Sequence, residues 1–310
     1  SKKKPKHNIT IEDITYTSIE FAKNNPVSLE SGTSHKMQLV TGPANATDHR
    51  IKWTSSNKTA ATVDENGTVT ALRPIETVTI TAVYKTNPAL TCSWNLKITR
   101  TKGYITKQML DNLDLTAIKK VMITAHPDDE TLWGGGHLIE GEYLVVCMTH
   151  GWNPKRRTAF EQTMRTTNDK YLILDYPDVR KTFSNGKYET DMLSTCKNAM
   201  QEDINLILSY KKWDLIATHN PFGEYGKFLH KTISQMVTQC YNKMTNKSAT
   251  LYYFGRYYNS SNKIPGEQIA PELLAIKNSM VDRYYPTAKG AIDAFGHMIP
   301  YENWLLPSEW

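Results

Sequence analysis

The chain has 310 residues, Lys+Arg 37 against Asp+Glu 31, and a net charge of +6, with Lys2, Lys3, Lys4 and Lys6 at its very start. That length fits two domains, each able to bury a core. The modest basic excess forms no stripe interleaved with aromatics, which argues against nucleic acid as a partner; no apolar run reaches membrane-spanning length; and Cys92, Cys147, Cys196 and Cys240 make neither a C-x-x-C pair nor a disulfide framework.

Residues 1–100 are expected to form one domain, in all-β texture. Met37-Gln38-Leu39-Val40 alternates, and so does Ile51-Lys52-Trp53-Thr54 before the turn Ser55-Ser56-Asn57. Ala61-Thr62-Val63-Asp64 leads into Asn66-Gly67, and Thr68-Val69-Thr70-Ala71-Leu72 returns, a hairpin signal. Val78 to Tyr84 and Trp94 to Ile98 complete the series. Trp53 to Asn57, Ala61 to Asp64 and Asn66 to Val69 resemble the bacterial immunoglobulin-like domain, group 2, with Pro74-Ile75-Glu76 where a Gly turn is usual. The resemblance implies an extracellular or cell-surface protein whose signal peptide has been removed. It implies a spacer as the plainer role, with contact to cell-wall or surface glycans as the alternative.

Residues 101–310 are expected to form a second domain, of α/β class, after a linker that begins at Arg100-Thr101-Lys102. Val121-Met122-Ile123-Thr124 predicts a buried strand, and Ala125-His126-Pro127-Asp128-Asp129-Glu130 leaves its end ahead of a helix. Open α/β sheets place active sites at such strand ends. A buried carboxylate there is costly unless it is paired or bound to a metal. His126 and Asp129 are three apart, so one tight turn can aim both at one ion. Asp128 faces another way, which suits a base acting on a metal-activated water. Glu130 either orients His126 or stabilises the helix start through its dipole.

Further along, Tyr143 to Thr149 predicts a second strand, with His150 and Trp152 leaving its end. They form either a plain turn or a substrate contact in which Trp152 offers a stacking surface. A helix is expected from Arg157 to Asp169, and a third strand, Tyr171 to Tyr176, ends at Asp178. Gly134-Gly135-Gly136 lacks the spacing of a phosphate loop and is expected to permit close helix packing. Another strand ends at Thr218-His219, and the loop from Asn220 to His230 is where a third ligand is expected. Pro271 to Tyr284 reads as a helix. The aromatic tail from Phe295 to Trp304 is either a cleft wall or a packed terminus.

The string AHPDDE, between a strand and a small-residue helix, resembles the signature of the zinc-dependent PIG-L/LmbE family of de-N-acetylases. The resemblance implies a Rossmann-like, mostly parallel sheet with flanking helices, and hydrolysis of an N-acetylated amino sugar or glycoconjugate to release acetate. Zinc is the implied cofactor, although mixed His and carboxylate sites accept other divalent metals. His126 and Asp129 take the family's ligand places and Asp128 that of its base. In the second family motif Tyr-Gly-His is followed three residues later by a zinc-binding His. Tyr225, Gly226, Lys227 and His230 stand there, implying His230 as third ligand and Tyr225 as an oxyanion donor worth ~3 kcal/mol. Lys227 replaces the family His: a cation able to stabilise an oxyanion but a poor proton shuttle. Arg157 and Asp178 resemble family residues that contact the sugar, with Ala159 where an acid is common. The alternative function is a surface glycan-binding protein that keeps the metal site and has weak or lost catalysis through Lys227.

Overall fold

The computed structural model describes residues 11–179, 190–245 and 247–310, and the chain divides into two compact units, Ser1–Thr99 and Arg100–Trp310. The first unit is all β. Its strands are β1 (Ser18–Phe21), β2 (Ser28–Glu30), β3 (Ser34–Lys36), β4 (Leu39–Gly42), β5 (Ile51–Ser55), β6 (Ala61–Val63), β7 (Thr68–Ala71), β8 (Ile75–Tyr84) and β9 (Thr91–Thr99). They pair as β2-β9-β8-β5, β3-β7-β6 and β1-β4. Alternation puts Val78, Ile80 and Ala82 of β8, Leu96 and Ile98 of β9, and Val69 and Ala71 of β7 into one core. The Asn66-Gly67 turn joins β6 and β7 as expected. The Asp64 carboxylate holds it by accepting the N–H groups of Asn66 and Thr68 at 2.9 and 2.8 Å.

The second unit is a parallel sheet with helices on both faces. Helix α1 (Lys107–Asn112) precedes β10 (Lys120–Thr124), α2 (Asp129–Glu140), β11 (Tyr143–Thr149), α3 (Pro154–Thr167), β12 (Lys170–Tyr176) and α4 (Lys197–Tyr210). Then come β13 (Leu215–His219), the short α5 (Gly223–Gly226), α6 (Phe228–Lys243), β14 (Thr250–Phe254) and α7 (Pro271–Phe295). The strand order is β12-β11-β10-β13-β14. Every residue of β11 is buried, the continuous apolar pattern of a strand covered twice. Its alternate residues feed separate cores: Leu144, Val146 and Met148 meet α4 and α6 on one face, and Val145 and Cys147 meet α2, α3 and α7 on the other.

One expectation is corrected, and of the two readings of the aromatic tail the packed terminus is the one observed. Helix α7 does not stop at Tyr284 but continues through Pro286, bending at Ala288 (φ −130°, ψ 22°). The aromatic tail packs on α2: the Glu302 carboxylate accepts the N–H groups of Gly136 and His137 at 2.6 and 3.1 Å. It also pairs with the fully buried Lys277 of α7 at 2.8 Å. A Cβ on Gly135 would lie 2.8 Å from Cγ of Lys277, so the close approach needs glycine. The linker is tied to α4, where Asp203 accepts the N–H groups of Tyr104 and Ile105 and the hydroxyl of Tyr176.

Candidate metal centre

Strands β10 and β13 are neighbours, and chain order runs away from them in opposite directions, so the crevice beyond their C-terminal ends is the switch point of the sheet. The loop after β10 carries His126, Asp128 and Asp129; β13 ends in His219, and α5 leads to His230. Among the described residues, five non-glycine residues have positive φ, and three of these stand in this region: Asp128 (134°), His150 (68°) and Glu224 (61°). Such backbone strain concentrates where a site dictates the geometry.

His126, Asp129 and His230 converge. His126 Nδ1 lies 2.9 Å from His230 Nε2. Asp129 Oδ2 is 3.4 Å from the first nitrogen and 3.5 Å from the second. The far nitrogen of each ring is occupied, His126 Nε2 by Asp178 Oδ1 at 2.9 Å and His230 Nδ1 by Glu224 Oε2. Each ring therefore donates outward to a carboxylate and turns a lone pair inward. Two facing lone pairs beside a carboxylate oxygen call for a cation or a shared proton between them. Tetrahedral zinc with bonds of ~2.0–2.1 Å separates its ligand atoms by roughly 3.3 Å, close to this triangle. The donor set fits a divalent metal.

A second grouping, His219 with Glu224 and His230, does not offer the same. His219 Nε2 accepts the Ala125 N–H at 3.0 Å and Nδ1 donates to Glu224 Oε1 at 3.0 Å, so both nitrogens are committed. Glu224 thus bridges two imidazoles. Burial alone would raise its carboxyl, but His230 and His219 prevail and hold it at about 2. Gly255 makes room for it: a Cβ there would lie 2.6 Å from Glu224 Oε1.

Asp128 occupies the N-cap position of α2 but makes no capping hydrogen bond. Its carboxylate faces a cavity of about 540 Å³ that also exposes His126, His230, Asp178, Tyr225 and Lys227. Burial, reinforced by Asp129, pushes Asp128 up to about 6. For Lys227, burial opposes the charge, yet Asp129 and Asp128 outweigh it and keep the ammonium above its ordinary value.

Other expected residues fall elsewhere. Arg157 turns outward and pairs with Glu161 at 3.0 Å. Its neighbour Arg156 reaches the cavity instead, donating to the Pro127 carbonyl at 2.8 Å, while its Nε is buried with no hydrogen-bond partner. The helix pattern carries that signal, because Arg156 shares a face with Phe160, Thr163 and Met164, all buried, whereas Arg157 precedes Glu161 by one exposed turn. His150 is buried behind Asp178, with its Nε2 4.0 Å from Asp178 Oδ2, and Trp152 stacks against it. Neither ring is among the residues lining the cavity. Glu130 does not orient His126; it accepts from Tyr284, Thr131 and the Asp128 N–H. Asp178 and Glu224 hold the imidazoles of His126 and His230. The sequence reading missed Glu224, Arg156 and the stretch of α7 from Thr287 to Ala291, which forms one cavity wall.

Residues 15–93 match the model of the bacterial Ig-like domain (group 2). The chain is 32% identical over 117 residues to the uncharacterized protein CA_P0160 of Clostridium acetobutylicum, covering 37% of this chain and 12% of that one. The conserved protein TT1542 of Thermus thermophilus superposes with a TM-score of 0.44 at 13% identity, over 62% of this chain and 96% of its own. The uncharacterized protein L374 of Acanthamoeba polyphaga mimivirus is 31% identical over 175 residues, 51% of this chain and 67% of that protein. The chain therefore carries a group 2 bacterial Ig-like domain and belongs to the same family as that mimivirus protein.

Proposed function

We propose that the second unit is a zinc-dependent de-N-acetylase of the PIG-L/LmbE kind, acting on an N-acetylated amino sugar in a glycan or glycoconjugate. The observation that carries this reading is the His126–Asp129–His230 triangle, sharing its cavity with a carboxylate, Asp128, that makes no helix-capping hydrogen bond and has Arg156 Nη2 3.5 Å from its Oδ2. Zinc held by these three residues would supply Lewis acidity toward the acetamide carbonyl and acidify a water. Asp128, mostly ionised at neutral pH, takes the proton of the attacking water and returns one to the leaving amine. Lys227 and the Tyr225 hydroxyl donate to the oxyanion that develops on the acetyl carbonyl. Arg156 offers its unpartnered Nε–H to the sugar. Water and the N-acetyl sugar give acetate and the free amino sugar.

Bacterial Ig-like domains are typical of extracellular proteins, and no described helix is long and apolar enough to cross a membrane. We place the enzyme outside the cell or on its surface, with the Ig-like unit as spacer or glycan contact. The test is acetate release from a panel of N-acetylated sugars by zinc-loaded protein. Release that vanishes in Asp128→Ala, with zinc still bound one per chain, is the expected result. No release from any sugar, recovered by Lys227→His, would favour the glycan-binding alternative.

A further inference from the structure

We propose that the cavity continues into a second sugar subsite built on Tyr225 and Tyr257, so that the ligand is a chain of at least two sugar units. This rests on the reading of the cavity as an amino-sugar site. Tyr225 lines that cavity and yet keeps 53% of its surface exposed; Tyr257, in the segment after β14, keeps 38%. Single exposed aromatics need no explanation. These two are different because both lean on one buried ring. Phe295, 1% exposed, lies 5.2 Å from Tyr225 and 6.2 Å from Tyr257, and the tyrosines meet edge-on at 5.8 Å.

The step is rigid and fixed relative to the metal centre. Tyr225 follows Glu224, whose φ of 61° is locked by a carboxylate buried between His219 and His230, and it precedes Gly226 at φ 107°. Phe295 lies one helical turn beyond Ala291, the last α7 residue on the cavity wall, so one bent helix carries both the wall and the base of the step. The chemistry matches a pyranose. One face of the ring is a patch of C–H bonds that packs on an aromatic surface, and its rim of hydroxyls stays available to the Tyr257 O–H and water, Tyr225 contributing its ring while its O–H serves the oxyanion. A purely apolar partner would leave the Tyr257 hydroxyl without that complement.

The test uses the full-length, zinc-loaded Asp128→Asn protein, so that binding is read without turnover. It is titrated calorimetrically with N-acetylglucosamine and with its β-linked dimer and trimer. The expected result is that the oligomers bind about tenfold more tightly than the monomer. Adding Tyr257→Ala should erase that gain, and Tyr257→Phe, which keeps the ring, should retain most of it. Equal affinity for one, two and three units, or a gain that survives Tyr257→Ala, overturns the subsite. Failure of every sugar to bind overturns it as well. Acetate release by the wild-type chain is scored separately: release from the monomer without any oligomer preference defeats the subsite and leaves the enzymatic reading standing. Tyr257-dependent oligomer binding without release does the reverse.

Discussion

At the residue scale, the imidazoles of His126 and His230 are held by carboxylates that lie outside the AHPDDE string. Glu224 is the more demanding of them, because it accepts one N–H from His219 and one from His230 with no surface of its own exposed. An amide offers a single acceptor oxygen, so Glu224→Gln can satisfy only one of these donors and sets an N–H against the other ring. We expect zinc affinity to fall about 10- to 100-fold, measured by competition with a chromophoric chelator, while the secondary structure is retained. Affinity within twofold of wild type would remove Glu224 from the machinery. Of the proposed ligands, His126 and Asp129 were legible from short-range spacing, since they share one turn, whereas His230 came from the resemblance. Glu224 was not legible, because its partner His219 becomes a neighbour only once β13 and the loop ahead of α6 have folded. The choice between Arg156 and Arg157 could have been read from the buried face of α3, one residue earlier than the position singled out by resemblance.

At the scale of elements, the expectation for α7 failed for an identifiable reason. Pro286 removes a backbone N–H from the helix interior, but Val281, Tyr284, Ala288, Ile292 and Phe295 all bury into one core shared with α2 and α3. That burial outweighs the missing N–H, and the helix bends rather than ends. The same helix delivers Lys277 to Glu302, clamping the tail against the glycines of α2. Burial would raise the Glu302 carboxyl, but Lys277 and then His137 overcome it and hold it at about 2, against an ordinary value of 4.5. The folded state therefore binds this proton less readily than the unfolded chain does. Its stabilising share, about 3 kcal/mol, is complete above about pH 5 and is lost as pH falls toward 2. Glu302→Gln leaves the Lys277 ammonium buried without its counter-charge and should cost about 3–5 kcal/mol at neutral pH. In urea unfolding between pH 3 and 7, the variant should also lose part of the acid limb seen in the wild type. A parallel pH profile in the two proteins would show that the clamp contributes no such linkage.

At the scale of the whole molecule, the change in sequence texture near residue 100 marks where one core gives way to others. Among the described residues, none of the buried β-sandwich core lies beyond Ile98, and neither buried core of the parallel-sheet unit begins before Ile105. The alternating strands and the Asn66-Gly67 hairpin were legible because they are local patterns. The order β12-β11-β10-β13-β14 was not, since apolar runs such as Val121 to Thr124 specify that a strand is buried but not which strands flank it. That order is what creates the crevice at the metal centre, and all of the centre's residues belong to the unit from Arg100 onward. Asp203 fastens the first residues of that unit, Tyr104 and Ile105, to α4, so the segment is held by contacts of its own. A fragment of residues 100–310 should therefore fold cooperatively, bind one zinc with the affinity of the full chain to within about threefold, and release acetate from small N-acetyl sugars at an unchanged rate. Calorimetry of the full chain should then resolve two transitions, with zinc moving only the one that the fragment reproduces, by an amount set by its affinity and concentration. A fragment that stays unfolded in the presence of zinc, or a full chain in which zinc shifts both transitions equally, would mean that the centre depends on residues before 100.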